Sequence, residues 1–203
     1  EKKLSPAEIK KIFKAFKELD EFWYGFALTH FYMAGRVQEP AGLQDHCVDF
    51  KTGIITIKCV SIWDRKTRKF VELKEYPKNG DIRSTHMTGE VAKILKNRID
   101  NLPKGCHFVF NLNGNPLKYR EIQYAYEKAL KRAGLYEKCT GTHFMRHSMA
   151  TITRKVMKSV DSVMSVTGHK DVKVAQDYGA VDVDLELNKE SIFKVRDFLS
   201  EDG

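Results

Sequence analysis

Three stretches of this 203-residue chain carry side chains suited to an anionic phosphorus centre. They are Thr142-His143-Phe144-Met145-Arg146-His147, then Gly168-His169, and then Tyr178, nine residues after the second of these histidines. An arginine presents a planar fork that grips phosphate oxygens bidentately, and a histidine donates or accepts a proton near neutral pH. Tyrosine is a possible covalent nucleophile. With a free pKa of about 10, its ionisation at pH 7 costs roughly 4 kcal/mol, so a base or concentrated positive charge must offset that. The chemistry these groups could perform together is attack on a phosphodiester by Tyr178. Taken singly each has a plainer reading: a helix-start histidine, a solvated arginine, a Gly-His helix end, a core tyrosine.

Such groups need a framework to hold them. Hydrophobic residues make up 42% of the chain and aromatics 11%, which describes an ordinary folded protein with enough length for a substantial core. Ser5-Pro6-Ala7-Glu8 reads as a capping box opening a helix along Ile9, Ile12, Phe13, Phe16 and Leu19. A second, aromatic helix is expected over about 21–35, a short strand at Val48-Asp49-Phe50, and a β-branched strand over 54–60. Asp64-Arg65-Lys66-Thr67-Arg68 reads as a hairpin tip leading into Phe70-Val71-Glu72-Leu73, and Lys78-Asn79-Gly80-Asp81 as a second turn. Helices are expected over about 88–100, 119–133, 145–157, 159–167, 171–179 and 189–199. His143 and Arg146, three apart, share one helix face. The expected class is mainly α with a small antiparallel β-sheet (α+β).

Lys and Arg outnumber Asp and Glu by 35 to 27, a net charge of +8, and the pI is near 9.2. This excess favours a polyanionic partner. Cys47, Cys59, Cys106 and Cys139 form no C-x-x-C pair, which argues against a zinc site or a disulfide framework. The scattered cysteines make reduced thiols in a cytoplasmic setting the expectation, and neither an apolar run of the roughly 20 residues that span a bilayer nor a basic-then-apolar leader is read in the sequence. Because the chain starts at Glu1, an excised domain is the expected reading of its beginning.

His143, Arg146, His169 and Tyr178 resemble the C-terminal signature of the tyrosine recombinases, the phage-integrase family: H-x-x-R on one helix, a Gly-His step, then a tyrosine. Upstream, Ala34-Gly35-Arg36-Val37-Gln38-Glu39 resembles that family's first box, with a catalytic arginine and an acidic residue three positions later. Pro77-Lys78-Asn79-Gly80-Asp81-Ile82-Arg83 resembles the hairpin that carries the family's catalytic lysine. The resemblance runs in order from about residue 4 to about 179. It implies a DNA breaking-and-rejoining catalytic-domain fold over 1–180, without the family's smaller N-terminal DNA-clamping domain.

On that resemblance Arg36 and Arg146 grip the non-bridging oxygens. His143 assists proton transfer from Tyr178, His169 bonds a phosphate oxygen, and Lys78, preferred to the competing Lys66, Lys69 and Lys74 because it directly precedes Asn-Gly, protonates the departing 5′-oxygen. Glu39 orients Arg36 or a histidine. Arg65, Lys66, Arg68, Lys69 and Arg83 are expected DNA-phosphate contacts. The implied product is a 3′-phosphotyrosyl bond that conserves the phosphodiester's energy, so neither metal, ATP nor another cofactor is expected. The implied partners are double-stranded DNA, further copies of the chain in a tetramer on paired sites, and accessory DNA-bending or directionality proteins, with integration or excision of a bacterial mobile element as the task. Type IB topoisomerase-like relaxation and a catalytically silent DNA-binding regulator are the rival readings. For the tail, 181–203, two expectations stand side by side: its apolar stripe (Ile192, Phe193, Val195, Phe198, Leu199) packs on its own core, or docks on a neighbouring protomer.

Overall fold

The computed structural model describes residues 3–76, 82–168 and 184–200; Lys78, His169, Tyr178 and the helix expected over 171–179 lie outside the described residues. In chain order the elements are α1 (Pro6–Leu19), α2 (Glu21–Met33), α3 (Gln38–Ala41), β1 (Val48–Asp49), β2 (Ile54–Ile57), β3 (Cys59–Trp63), β4 (Phe70–Glu75) and β5 (Arg83–His86). These are followed by α4 (Gly89–Asp100), β6 (Asn111–Leu112), β7 (Asn115–Pro116), α5 (Tyr119–Arg132), α6 (Phe144–Met157), α7 (Val160–Thr167) and α8 (Leu185–Ser200). Helices dominate and every strand pairing is antiparallel, as the sequence pattern predicts. No helix among the described residues is long and apolar enough to cross a membrane.

The capping box forms as read: Ser5 Oγ accepts from the Glu8 N–H, and the Glu8 carboxylate accepts from the Ser5 N–H. Ile9, Ile12 and Phe16 are then buried on one face of α1. α2 is apolar around its whole circumference and buried through its C-terminal two-thirds, which makes it the central helix of the domain. Phe26 packs edge-to-face on Phe110 (5.2 Å between centroids) and on Tyr126 (6.3 Å), tying α2 to α5 and the segment before β6. α2 ends earlier than the expected residue 35, because Ala34 adopts the left-handed conformation (φ 46°) and turns the chain outward at Gly35-Arg36.

The β-branched run over 54–60 is not one strand. It divides at Lys58: β2 joins the three-stranded sheet β1-β2-β5, whereas β3 pairs with β4. The reason is packing. Cys59, Val60 and Ser61 are all buried, which an alternating half-exposed strand does not allow, and β3 lies directly against Gly42 at the end of α3. A Cβ on Gly42 would stand 2.7 Å from the Ser61 backbone nitrogen, so only glycine permits this approach. The charged tip between β3 and β4 forms as expected. It is tethered to the start of α5 by Trp63 Nε1–H donating to the Leu117 carbonyl (2.8 Å) and the Tyr119 N–H donating to the Arg68 carbonyl (3.1 Å).

α8 packs on α6, α7 and β5 of its own domain, with Ile192 and Val195 fully buried. Asn188 fastens it. The side-chain oxygen accepts from the His86 N–H (2.9 Å), and the amide group donates to the Ser165 carbonyl (3.0 Å) and Thr85 Oγ1 (3.2 Å).

Candidate active site

Four elements meet around the turn after α2. Arg36 is exposed on that turn, and its N–H donates to Glu39 Oε2 (2.9 Å). Glu39 belongs to the short α3, and Pro40 after it takes a first-turn position where a missing N–H costs nothing. His143 is the exposed residue preceding α6, and Arg146 lies half-buried in the first turn of that helix. Arg146 Nη1–H donates to the Ala34 carbonyl (2.7 Å), so the second arginine braces the turn that presents the first. The structure thus brings Arg36, Glu39, His143 and Arg146 into one neighbourhood from positions far apart in sequence.

The electrostatics agree with the geometry. Arg146 is pushed down from 12.5 to about 10, chiefly by burial and then by the positive charge of Arg83, with Arg36 adding to it. Glu39 and Tyr76 pull the other way. Crowding of like charge, which lowers the pKa of a guanidinium, is unfavourable in an empty site and favourable around an anion.

Beneath the turn lies a group the sequence reading did not single out. His30, in the last turn of α2, is buried, with Nδ1 2.8 Å from the Tyr126 hydroxyl and Nε2 3.1 Å from the Gly35 carbonyl. The consistent tautomer carries the proton on Nε2, which donates to Gly35, while Nδ1 accepts from Tyr126. Burial, against the opposing effect of the Gly35 carbonyl and aided by the charges of His143 and Arg146, lowers His30 from 6.5 to about 3. The unfolded chain therefore takes up a proton first as pH falls. His30's contribution to stability is complete above about pH 6.5 and is lost progressively toward pH 3, roughly 2 kcal/mol of it by pH 5. Thermal unfolding at pH 7.5 and pH 5.0 checks this: His30→Asn should lose less stability between the two than the parent, and an equal loss would assign the effect to other groups.

One expected phosphate contact, Arg83, is turned inward. Arg83 is only 7% exposed, and its guanidinium faces inward, donating from Nη2 to Glu39 Oε2 (2.9 Å) and from Nη1 to the Val166 carbonyl (3.3 Å). Its charge is paired inside the domain with a buried carboxylate and not presented at the surface. The physical reason is that β5 runs through the interior, between β2 and α8, so alternate residues turn into the core. Arg65, Lys66, Arg68 and Lys69 do lie exposed on the β3–β4 tip, with the Arg68 guanidinium over the Tyr119 ring (5.2 Å).

Comparison with known proteins puts this arrangement in context. A family model described as "Phage integrase family" matches residues 2–184. The tyrosine recombinase XerH of Campylobacter jejuni subsp. jejuni serotype O:2 is 30% identical over 95 residues, covering 46% of this chain and 27% of that protein. Among solved structures, the Tn1549 transposon integrase in complex with circular-intermediate DNA superposes with a TM-score of 0.67 at 20% identity, over 88% of this chain and 61% of that one. XerH bound to its difH substrate before cleavage gives 0.65 at 18% identity, over 87% and 49%. The chain therefore spans about a quarter of the XerH sequence it matches and between about half and three-fifths of these two structures. At such identities the superpositions show a shared fold.

Proposed function

Because the chain belongs to the phage integrase family, we propose that it cleaves and rejoins DNA strands through a covalent 3′-phosphotyrosyl intermediate on Tyr178. The observation that carries this reading is the convergence of Arg36, His143 and Arg146 around one turn, with Arg146 lowered in pKa by burial and then by the neighbouring cations. In the reaction Arg36 and Arg146 bind the two non-bridging oxygens and neutralise the charge that grows in the pentacoordinate transition state. His143 relieves Tyr178 of its proton as the phenolic oxygen attacks phosphorus. Lys78 protonates the leaving 5′-oxygen, and His169 bonds a phosphate oxygen. A second 5′-hydroxyl then attacks the phosphotyrosine and releases the enzyme. Neither a hydrolysable nucleotide nor a metal enters this scheme.

The substrate is double-stranded DNA, and the exposed cations of the β3–β4 tip supply sequence-independent affinity. Copies of the chain acting on paired sites would exchange strands for integration or excision of a mobile element. A protein that relaxed supercoils as a monomer would point to the topoisomerase reading instead.

The test is a nicked suicide duplex carrying the recombination site, incubated with and without EDTA. A denaturation-resistant protein–DNA adduct should form with the parent protein in both conditions and be absent with Tyr178→Phe. An adduct that survives in Tyr178→Phe, or that EDTA abolishes, would overturn the mechanism.

A further inference from the structure

The buried pair Glu39–Arg83 does more than neutralise itself. Glu39 is 5% exposed and Arg83 7%, and their contacts reach three separate parts of the site. Glu39 Oε2 holds the Arg36 N–H, and Oε1 accepts from the Tyr76 hydroxyl (3.2 Å) at the end of β4. Arg83 reaches the last turn of α7 through the Val166 carbonyl. Two glycines are cut to fit it. A Cβ on Gly35 would come within 2.1 Å of Glu39 Oε2, and a Cβ on Gly168 within 2.4 Å of Arg83 Cδ. Gly168 also takes a left-handed backbone (φ 66°) as it caps α7, immediately before His169.

We infer that Glu39 and Arg83 are positioning residues, which hold the Arg36 turn in register with the C-terminal end of α7 and so set the geometry of phosphate binding. This rests on the cleavage reaction proposed above. A buried carboxylate fixed by one backbone N–H, one hydroxyl and one guanidinium leaves the turn little freedom. The spacing between catalytic groups matters at the level of about 1 Å for rate. The pair itself touches no reacting atom in this scheme.

Removing one partner alone would strand a buried charge and confuse folding with catalysis. The informative variant is therefore the double neutral replacement Glu39→Gln with Arg83→Met, examined on the nicked suicide duplex at saturating protein. Its melting temperature should stay within a few degrees of the parent, its duplex affinity within about threefold, and its single-turnover cleavage should fall by about thirtyfold or more. In an Arg36→Lys background, already slowed, the same double change should cost less than about threefold, because the pair acts through Arg36. If the double variant does not fold, Arg83→Lys takes its place. It keeps the charge but cannot bond Glu39 and Val166 together, and should cleave about tenfold slower at unchanged affinity. A variant that binds and cleaves like the parent, or a defect that multiplies fully with Arg36→Lys, would make the pair merely structural. A parent protein that forms no adduct would sink the cleavage reading itself, an outcome distinct from either.

Discussion

Arg146→Ala is expected to slow single-turnover strand cleavage by about 10³-fold, with duplex affinity reduced far less. The loss is large because the guanidinium is asked to stabilise charge that exists in full only in the transition state, in a half-buried place where water cannot substitute for it. Arg146→Lys is the more revealing change. It keeps a cation but gives up the fork that holds two oxygens. It also enters a setting that has already lowered the arginine from 12.5 to about 10 through burial and through Arg83 and Arg36. A lysine there would be lowered from its ordinary value by the same burial and the same neighbouring cations. The lysine variant would therefore lose its charge at lower pH than the parent, and its cleavage rate should fall earlier as pH rises from about 7 to about 9. The parent should keep the charge on Arg146 throughout. Rates measured on the suicide duplex at pH 7, 8 and 9 decide the matter; parallel pH profiles for parent and Lys variant would contradict the crowded-cation account.

Asn188→Ala is expected to cost about 3–5 kcal/mol, the largest single loss of stability foreseen here. The side chain is fully buried, and its removal leaves the His86 N–H and the Ser165 carbonyl without their partners. For a domain of this size that corresponds to a fall in melting temperature of roughly 10 °C. Because α8 packs against α6, α7 and β5 of its own chain, the loss should be the same at low and high protein concentration. A melting temperature that is unchanged by the substitution, or one that drops only where the protein self-associates, would mean that the helix finds its energy on a neighbour instead.

What could be read from the sequence follows the range of the interactions concerned. The α1 capping box and the helix that begins beside His143 and carries Arg146 are local features, and both stand in the fold where the spacing puts them. Arg36 is recognisable by its box, though not the left-handed Ala34 that ends α2 and turns Arg36 outward. The division of the 54–60 run at Lys58 depends on Gly42 and α3, whose approach leaves no mark on alternation. Arg83 looks like any basic strand residue until Glu39, 44 positions away, is seen to face it. His30 hides in an apolar helix because its partners, Tyr126 and the Gly35 carbonyl, come from a distant helix and a turn.

The interlock of Gly35, Glu39, Arg83 and Gly168 also limits how such a chain can change over generations. A methyl group at either glycine collides with one member of the ion pair, and loss of either charge orphans the other in the interior. Each single step away is therefore harmful, even where some other combination of four residues would pack as well. The quartet is therefore expected to be kept or exchanged whole, whereas each exposed cation of the tip between β3 and β4 can be replaced without orphaning a buried partner.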